Sequence, residues 1–549
     1  MRRCYLMLKM IQCDKFIEKG QVRPPITFER GLNTILGDEF ASNSIGKSTF
    51  LMIIDFAFGG EDYVRRLIDV QANIGPHTIK FTFEFDGGLY YFSRGTADAT
   101  KINVLNMQDQ VVKVISNKAY MDLLREKFKL DLPHLSLREG VSRFFRVYGR
   151  ETLDPKYPLQ TAVKEPMKLG IEGLLKLFNH YQAVGEQKKL TDRAISKEET
   201  FKKAQSYDYL PSVTTKIKYK ENEKRILELG EEIQELIREG TEGLADTEIL
   251  EMKSSSELTH QLKATKRQYI ALVNELKSIE VAHTKRYMSQ KDYDELKQFF
   301  PEVNEKKLEE IEDFHQTLSG ILRNMSKEKT KDLQEMIDLA AQKILQLETE
   351  ITVIGTHPNV THAVLNQHCQ KQKELESLKA ANQSYDTLAE LKRITKKLEA
   401  LLNTCVLEAI AHTEEEINKV MRKLNQKISS EKTAPQLKIK DARRYLFSTP
   451  NDRGTGSQYK GLIIFDLVAL SMTDLPILVH DSVLLKQIED EAVEKILKLY
   501  TDTEKQVFIV LDKKGSFTEA AQEILQKTEV LRLYPDGGEL FGRAWNRID

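Results

Sequence analysis

The chain has 549 residues, with 82 Lys plus Arg against 83 Asp plus Glu, 40% apolar residues and 30% charged residues. That length amounts to roughly three to four domains' worth of chain, yet the charge is too high and the apolar share too low for one compact enzyme throughout. A formal net charge of −1 excludes a wholly basic nucleic-acid binder, and four cysteines with no CxxC pair and no Cys/His metal spacing exclude a disulfide scaffold.

Lys9 and Asp14 break the first residues, MRRCYLMLKMIQCDKF, before any signal-peptide core could form. The apolar run Leu462 to Leu470 is interrupted by Asp466 and is too short to span a bilayer. The expectation is a soluble, cytoplasmic protein without a membrane partner.

Short alternating segments mark the first zone. Lys80 to Phe85 and Leu89 to Phe92 read as strands, with Gly87-Gly88 between them as a hairpin turn. From about Gln187 to Lys432 strand signals vanish and apolar residues recur at alternating spacings of four and three. Leu258, Leu262, Thr265, Tyr269, Leu272, Leu276 and Ile279 form one stripe, and Leu333, Ile337, Ala340, Ile344, Leu347, Ile351 and Ile354 another. Such stripes suit a bundle core as well as an extended coiled coil; the length and charge of the tract favour the coiled coil. The breaks at Phe299-Phe300-Pro301 and Gly355 to Pro358 interrupt it. From Gln436 onward the strand-like runs Leu475 to His480, Val507 to Leu511 and Val530 to Tyr534 alternate with the helical runs Tyr459 to Ser471 and Glu489 to Tyr500, a βαβ rhythm.

A phosphate-binding pattern follows the strand-like Leu32 to Leu36. Ala41, Ser42, Asn43, Ser44, Ile45, Gly46, Lys47, Ser48 and Thr49 open an apolar helix running from Phe50 to Phe58. Phosphate oxygens need several backbone N–H groups at a helix N-terminus, a lysine and a Mg²⁺-binding hydroxyl. Gly46, Lys47 and Ser48 supply those parts in order, with Ala41 where the first glycine of such a loop usually sits. ATP and Mg²⁺ are the expected ligands. The second half of such a site is an acidic residue ending a buried strand, where it holds the metal's water. Asp481 ends Leu475 to His480 and takes that place beside Ser48.

More than 430 residues separate Lys47 from Asp481, with the heptad tract between them. One nucleotide site forms only if the coiled coil folds back on itself. The expected fold is therefore α/β: a P-loop ATPase head assembled from 1–186 and 433–549, with an antiparallel coiled-coil arm at 187–432 whose apex lies near 296–315. At the apex, Phe299 and Phe300 are either a small core closing the hairpin or a partner-binding knob.

This plan resembles the SMC, RecN and RecF group of ABC-type ATPases. Asn43 matches the family P-loop, and Gly454-Thr455-Gly456-Ser457-Gln458 stands where the family carries its LSGGQ-like signature, with Ser457 in place of the second glycine. The resemblance implies an ATP-driven homodimer in which Thr455 and Gly456 of one head cover the nucleotide of the other. Two positions depart from the family: Ser482 replaces the glutamate that follows the strand-end Asp, and Asp512-Lys513-Lys514 stands where a switch histidine is expected. A hydroxyl is a poor general base near neutral pH. The implied catalytic set is Lys47 and Asp481, with Ser482 at the base position and Glu489 and Asp490 as the nearest alternative acids.

The run His480-Asp481-Ser482 and the overall layout resemble more closely the SMC-like ATPases of bacterial three-component anti-phage systems. That likeness implies a middle component and an effector as partners, and the toxic chemistry would lie in the effector. DNA is the other expected partner. Arg65-Arg66, Arg138 with Arg143 and Arg146, and Lys392-Arg393 with Lys396-Lys397 are its candidate phosphate contacts, with no signature for reading base sequence. A recombinational-repair ATPase of RecN or RecF type and a scaffold that binds ATP without turning it over are the rival readings.

Overall fold

The computed structural model describes residues 6–38, 45–162, 164–206, 210–240, 246–283, 333–351, 362–512 and 514–545. Ala41, Ser42, Asn43 and Ser44 of the loop, the apex region 296–315 with its aromatic pair, Ile354, the break at Gly355 to Pro358, Cys4 and Lys513 lie outside them. Two compact units divide the chain: Met1–Glu199 with Leu391–Asp549, and Thr200–Glu390.

In chain order the strands are β1 (Leu6–Gln12), β2 (Ile17–Glu18), β3 (Gln21–Val22), β4 (Ile26–Thr27), β5 (Gly31–Leu36), β6 (Thr78–Phe85), β7 (Gly88–Gly95), β8 (Lys101–Leu105), β9 (Val111–Ser116), β10 (Phe145–Arg146), β11 (Gln436–Asp441), β12 (Arg444–Ser448), β13 (Ile477–His480), β14 (Gln506–Leu511) and β15 (Glu529–Arg532). All belong to the first unit. Five form a sheet in the order β10-β13-β14-β5-β15, every pair parallel. Every residue of β5, β13 and β14 is buried, as expected of strands covered on both faces, which read as apolar runs rather than alternations. Register sets where the loops emerge. Leu36 pairs with Leu511 and His480 with Ile509, so Gly37, Asp481 and Asp512 leave the sheet along one carboxyl edge.

A second sheet, antiparallel, has the order β4-β1-β6-β7-β8-β9. Its hairpin turns at Asp86-Gly87, with φ of 51° and 82°, while Gly88 pairs with Phe85 as the first residue of β7. The turn thus sits one residue earlier than Gly87-Gly88, because a tight two-residue turn needs positive φ at both central positions. Gln506 locks the two sheets together: its side chain accepts from Leu8 N at 2.8 Å and donates to Leu8 O at 2.8 Å.

Two helices flank the parallel sheet's functional edge. Lys47–Ala57 buries every residue from Phe50 to Ala57. Thr455–Met472 buries every residue from Lys460 to Leu470, the mark of a helix enclosed all round. It starts four residues before the expected Tyr459, since Gly454 serves as its N-cap.

The second unit is helical. Tyr219 donates to Asp386 at 3.0 Å, Asn222 to Asn382 at 2.9 Å and Arg225 to Glu374 at 3.0 Å. Rising numbers on Lys216–Gly240 meet falling numbers on His362–Ile428, so the two helices run antiparallel. Leu229, Ile233 and Leu375 form a small apolar cluster between them. Within 333–351, Leu333, Ile337 and Leu347 are buried, the positions of the second stripe. The tract is not one unbroken helix from Gln187: Gln182–Ser206 ends and Lys216–Gly240 begins around Pro211, which lacks an N–H donor and disfavours helix at Leu210.

Candidate functional site

The site is built at the carboxyl edge of the parallel sheet. Gly46 has φ 96° and caps the helix Lys47–Ala57. A Cβ there would meet Leu540 Cβ at 2.5 Å, so the close approach and the positive φ both require glycine. Leu540 N donates to Ile45 O at 3.0 Å and fixes the turn from outside.

Lys47 and Ser48 open the helix and reach the ends of the neighbouring strands β14 and β13. The Ser48 hydroxyl donates to Asp481 Oδ2 at 2.7 Å, across 433 positions of sequence. The same oxygen accepts from Tyr148 N at 3.0 Å, and Ser482 Oγ donates to Asp481 Oδ1 at 3.2 Å. The Lys47 ammonium ion-pairs with Asp512, whose side chain is only 3% exposed, and Lys486 reaches the other oxygen of Asp512 at 2.8 Å. Gly37 leaves room for this pair: a Cβ on it would collide with the Asp512 carboxylate and meet the Lys47 side chain at 3.1 Å. A hydroxyl and a carboxylate oxygen in contact are hard donors of the kind Mg²⁺ takes, together with waters. The donor set and the glycine-lined approach therefore fit Mg²⁺-ATP, which Lys47, Ser48 and Asp481 would hold.

Behind Asp481 lies a fully buried polar network. Arg146 bonds in bidentate fashion to Asp466, Nε to Oδ2 at 2.9 Å and Nη2 to Oδ1 at 2.7 Å, and donates also to Thr152 O and Pro158 O. His480 contacts Asp466 Oδ2 at 3.0 Å through Nε2 and the Tyr500 hydroxyl at 2.7 Å through Nδ1. Burial opposes ionisation of Asp466, but Arg146 and His480 outweigh it and hold the carboxyl below its ordinary range. Asp481 N donates to Arg146 O at 2.8 Å. The helix Thr455–Met472, through Asp466, is thereby tied to the strand that presents Asp481.

At the start of that helix, Gly454 N donates to Asp452 Oδ1 at 3.0 Å, and the Ser457 hydroxyl bonds to the same carboxylate. Gly456 lies against the backbone oxygen of Gln487, where a Cβ would collide. Gln458 donates to Arg453 O at 3.0 Å. Thr455 is the first residue of the helix. Glu489 and Asp490 cap and begin the helix Asp490–Asp502 and are exposed. Glu489 ion-pairs with Lys432, which holds its carboxyl below the ordinary value, and no bond among the described residues ties either acid to Asp481.

One set of candidate DNA contacts is overturned. Arg143 and Arg146 are 2% and 0% exposed, and Arg138 bonds to the buried Asp55 at 2.7 Å. The Arg143 and Arg146 guanidinium groups are enclosed in the fold and cannot line a DNA surface, Arg146 because the short β10 that carries it is a strand of the buried sheet; Arg138 is half-buried and committed to Asp55. Lys392, Arg393, Lys396 and Lys397 are exposed on their helix. Arg65 is exposed beside Glu61, and Arg66 is bonded to Asp62 and to Gly149 O.

Sequence reasoning does not find Asp512 and Lys486 as partners at the site, nor Asp466, His480 and Arg146 as its support. Asp512 ends a strand of the same apolar type as the one before Asp481, and that signal could have found it. For Asp466 the signal was a lone carboxylate inside a helix otherwise apolar on every side.

Comparisons with known proteins add little to this geometry. Residues 415–545 match a family described as an uncharacterised protein conserved in bacteria (DUF2326), which is less than half of the chain. No curated protein matches. Among solved structures, an Smc head domain with a coiled coil and joint from Pyrococcus yayanosii is similar at 13% identity and TM-score 0.47, covering 97% of this chain and 95% of that one. An Smc head domain with an extended coiled coil bound to the C-terminal domain of ScpA, from Pyrococcus furiosus, is similar at 10% identity and TM-score 0.37, covering 97% and 93%. Likeness at these scores carries no functional inference. None of the described helices is long and apolar enough to cross a membrane.

Proposed function

We propose that this protein is an ATP-binding, ATP-hydrolysing protein of the SMC-like class. The observation that carries the reading is the contact of Ser48 with Asp481 at 2.7 Å, beside the half-buried Lys47, at the carboxyl edge of a parallel sheet. Two parts of the chain separated by hundreds of residues contribute one hydroxyl, one lysine and one acid to one place, which is what holding Mg²⁺-ATP requires. The bound metal would neutralise phosphate charge. Within the chain, Lys47 leaves Asp512 for the β/γ-phosphates, Ser48 and Asp481 supply oxygen ligands, and Gly46 with the helix N-terminus offers backbone N–H groups. Ala41, Ser42, Asn43, Ser44 and Thr49 complete the loop in this reading.

Heads pair as a homodimer, with Gly454, Thr455, Gly456, Ser457 and Gln458 of each covering the nucleotide of the other. DNA is engaged without reading its sequence, through exposed cations such as Lys392, Lys396 and Lys397. A middle component and an effector complete an anti-phage or anti-plasmid complex, a reading that rests on the resemblance of the sequence layout alone. Turnover is slow because Ser482 follows Asp481 where a glutamate would serve as base, and Glu489 or Asp490 can act only if head pairing brings them to the nucleotide. That serine also favours a second reading, an ATP clamp without hydrolysis; a repair ATPase of RecN or RecF type is the third.

The test is equilibrium binding of a fluorescent ATP analogue, followed by phosphate release with and without DNA. Lys47→Ala is expected to lower affinity by about 100-fold or more, since a charge-assisted contact to phosphate in a partly enclosed site contributes several kcal/mol. Unchanged affinity would overturn the nucleotide assignment. Tight binding with no turnover, DNA present or absent, would replace the ATPase with the clamp.

A further inference from the structure

A second cluster of ligand-type side chains lies in the same unit, away from the residues of the nucleotide site. The helix Met167–Leu177 ends at Asn179, whose φ is 59°, and His180 N donates back to Leu175 O at 2.8 Å. Asn in a left-handed conformation is a frequent helix stop. The stop throws the His180 ring toward the helix His362–Ile428, where His412 and Glu416 stand four residues apart on one face. His180 Nε2 lies 3.6 Å from Glu416 Oε2, and His412 Nδ1 lies 3.7 Å from the same oxygen. The two rings are edge to face with centroids 4.5 Å apart. One donor atom from each of the three residues falls within 4.8 Å of the others.

Hydrogen bonding fixes which His180 nitrogen is free. Thr413 has one hydroxyl proton, and it goes to Ala409 O at 2.7 Å. Thr413 Oγ1 therefore accepts from His180 Nδ1 at 2.8 Å, which leaves the lone pair of a neutral ring on Nε2, facing the Glu416 carboxylate. A lone pair and a carboxylate oxygen repel unless a cation, either a proton or a metal ion, sits between them. An outer partner that fixes the tautomer of a ligating histidine is the usual support of a metal site.

We propose that His180, His412 and Glu416 bind a divalent transition-metal ion of the Zn²⁺ class, which clasps the turn after Met167–Leu177 to the long helix. Zn²⁺ bonds of about 2.0–2.2 Å in a tetrahedron separate ligand atoms by roughly 3.3–3.6 Å, so three donors lying within 4.8 Å of one another need to close by at most about 1.5 Å. Two imidazoles select this class over Mg²⁺ or Ca²⁺, which take oxygen ligands. Three protein ligands leave the fourth position to water.

The experiment uses the full-length protein, stripped with chelator and kept in excess Mg²⁺. It is titrated with Zn²⁺ by calorimetry and with Co²⁺ by visible absorption. The expected result is one tight Zn²⁺ equivalent per chain, a tetrahedral or five-coordinate Co²⁺ spectrum and a higher melting temperature with Zn²⁺. Glu416→Gln and His412→Asn change exposed side chains and leave folding intact; each should weaken Zn²⁺ binding by about tenfold or more and abolish the thermal shift. Absence of binding in the wild type would overturn the proposal, leaving His180 and Glu416 as an ion pair. Binding of equal stoichiometry and affinity in the two variants would overturn it too, placing the metal on other histidines or cysteines.

Discussion

Asp466 is the side chain on which the site's rear support depends. Its charge is buried and matched by the bidentate Arg146 and by His480, and removing one partner of a buried pair leaves the other uncompensated. Asp466→Asn should therefore destabilise the protein by about 3–5 kcal/mol in urea unfolding. The pH dependence has a definite sign. Because its folded carboxyl titrates below the ordinary value of about 3.9, Asp466 stabilises fully above that range and loses its contribution as pH falls through the lower folded value. The stability gap between wild type and Asp466→Asn should then hold steady above about pH 5 and narrow as pH falls below it, through the ordinary carboxylate value and on toward the lower folded one; a constant gap would show that the carboxylate's charge is not what matters. Asp512 acts differently: it ion-pairs with Lys47, and in the proposed nucleotide site it would compete with phosphate for that lysine. Asp512→Asn should bind the ATP analogue several-fold more tightly, and weaker binding would mean that Asp512 helps to hold the nucleotide.

Among the elements, the helix Thr455–Met472 carries glycines at its start and Asp466 in its buried middle. Gly456 packs on the backbone oxygen of Gln487, which cannot swing away as a side chain could. Gly456→Ala should cost about 1–3 kcal/mol in stability through overpacking, measured by urea unfolding. Gly454→Ala meets only Asp452 Oδ1 at 3.2 Å and should be the milder change of the two. Much at this scale was legible in the sequence. The apolar runs of β5, β13 and β14 mark buried parallel strands, and Gly46-Lys47-Ser48 marks where a helix begins after one of them. Burial of Arg143 and Arg146 was not legible: with Arg138 they have the spacing of an exposed basic face, and only the pairing of β10 with β13 puts Arg146 inside.

At the level of the whole molecule, the parallel sheet takes β5 and β10 from the N-terminal part and β13, β14 and β15 from the C-terminal part, so neither part closes a core alone. Gln187 and Thr191 bond to Leu398 O, and His180 lies beside Thr413, so the chain leaves and re-enters this unit on antiparallel helices. Replacing 200–390 with a short Gly/Ser linker should preserve the fold, whereas residues 1–199 alone should not fold. Cys13 reports the result. Burial pushes its thiol up to about 12, so alkylation followed by peptide mass mapping should find it protected in the linked chain and labelled in the fragment. Labelling in the linked chain would mean that Thr200–Glu390 is needed to close the core. By itself the sequence determined the element types, the strand-to-helix turn at Gly46 and the need for two distant segments to meet, because periodicity and glycine placement are local physics. Only the tertiary structure decided which charges are spent inside, that Asp512 holds Lys47 and that His180 meets His412 and Glu416, because burial and long-range register place those side chains and no local pattern encodes either.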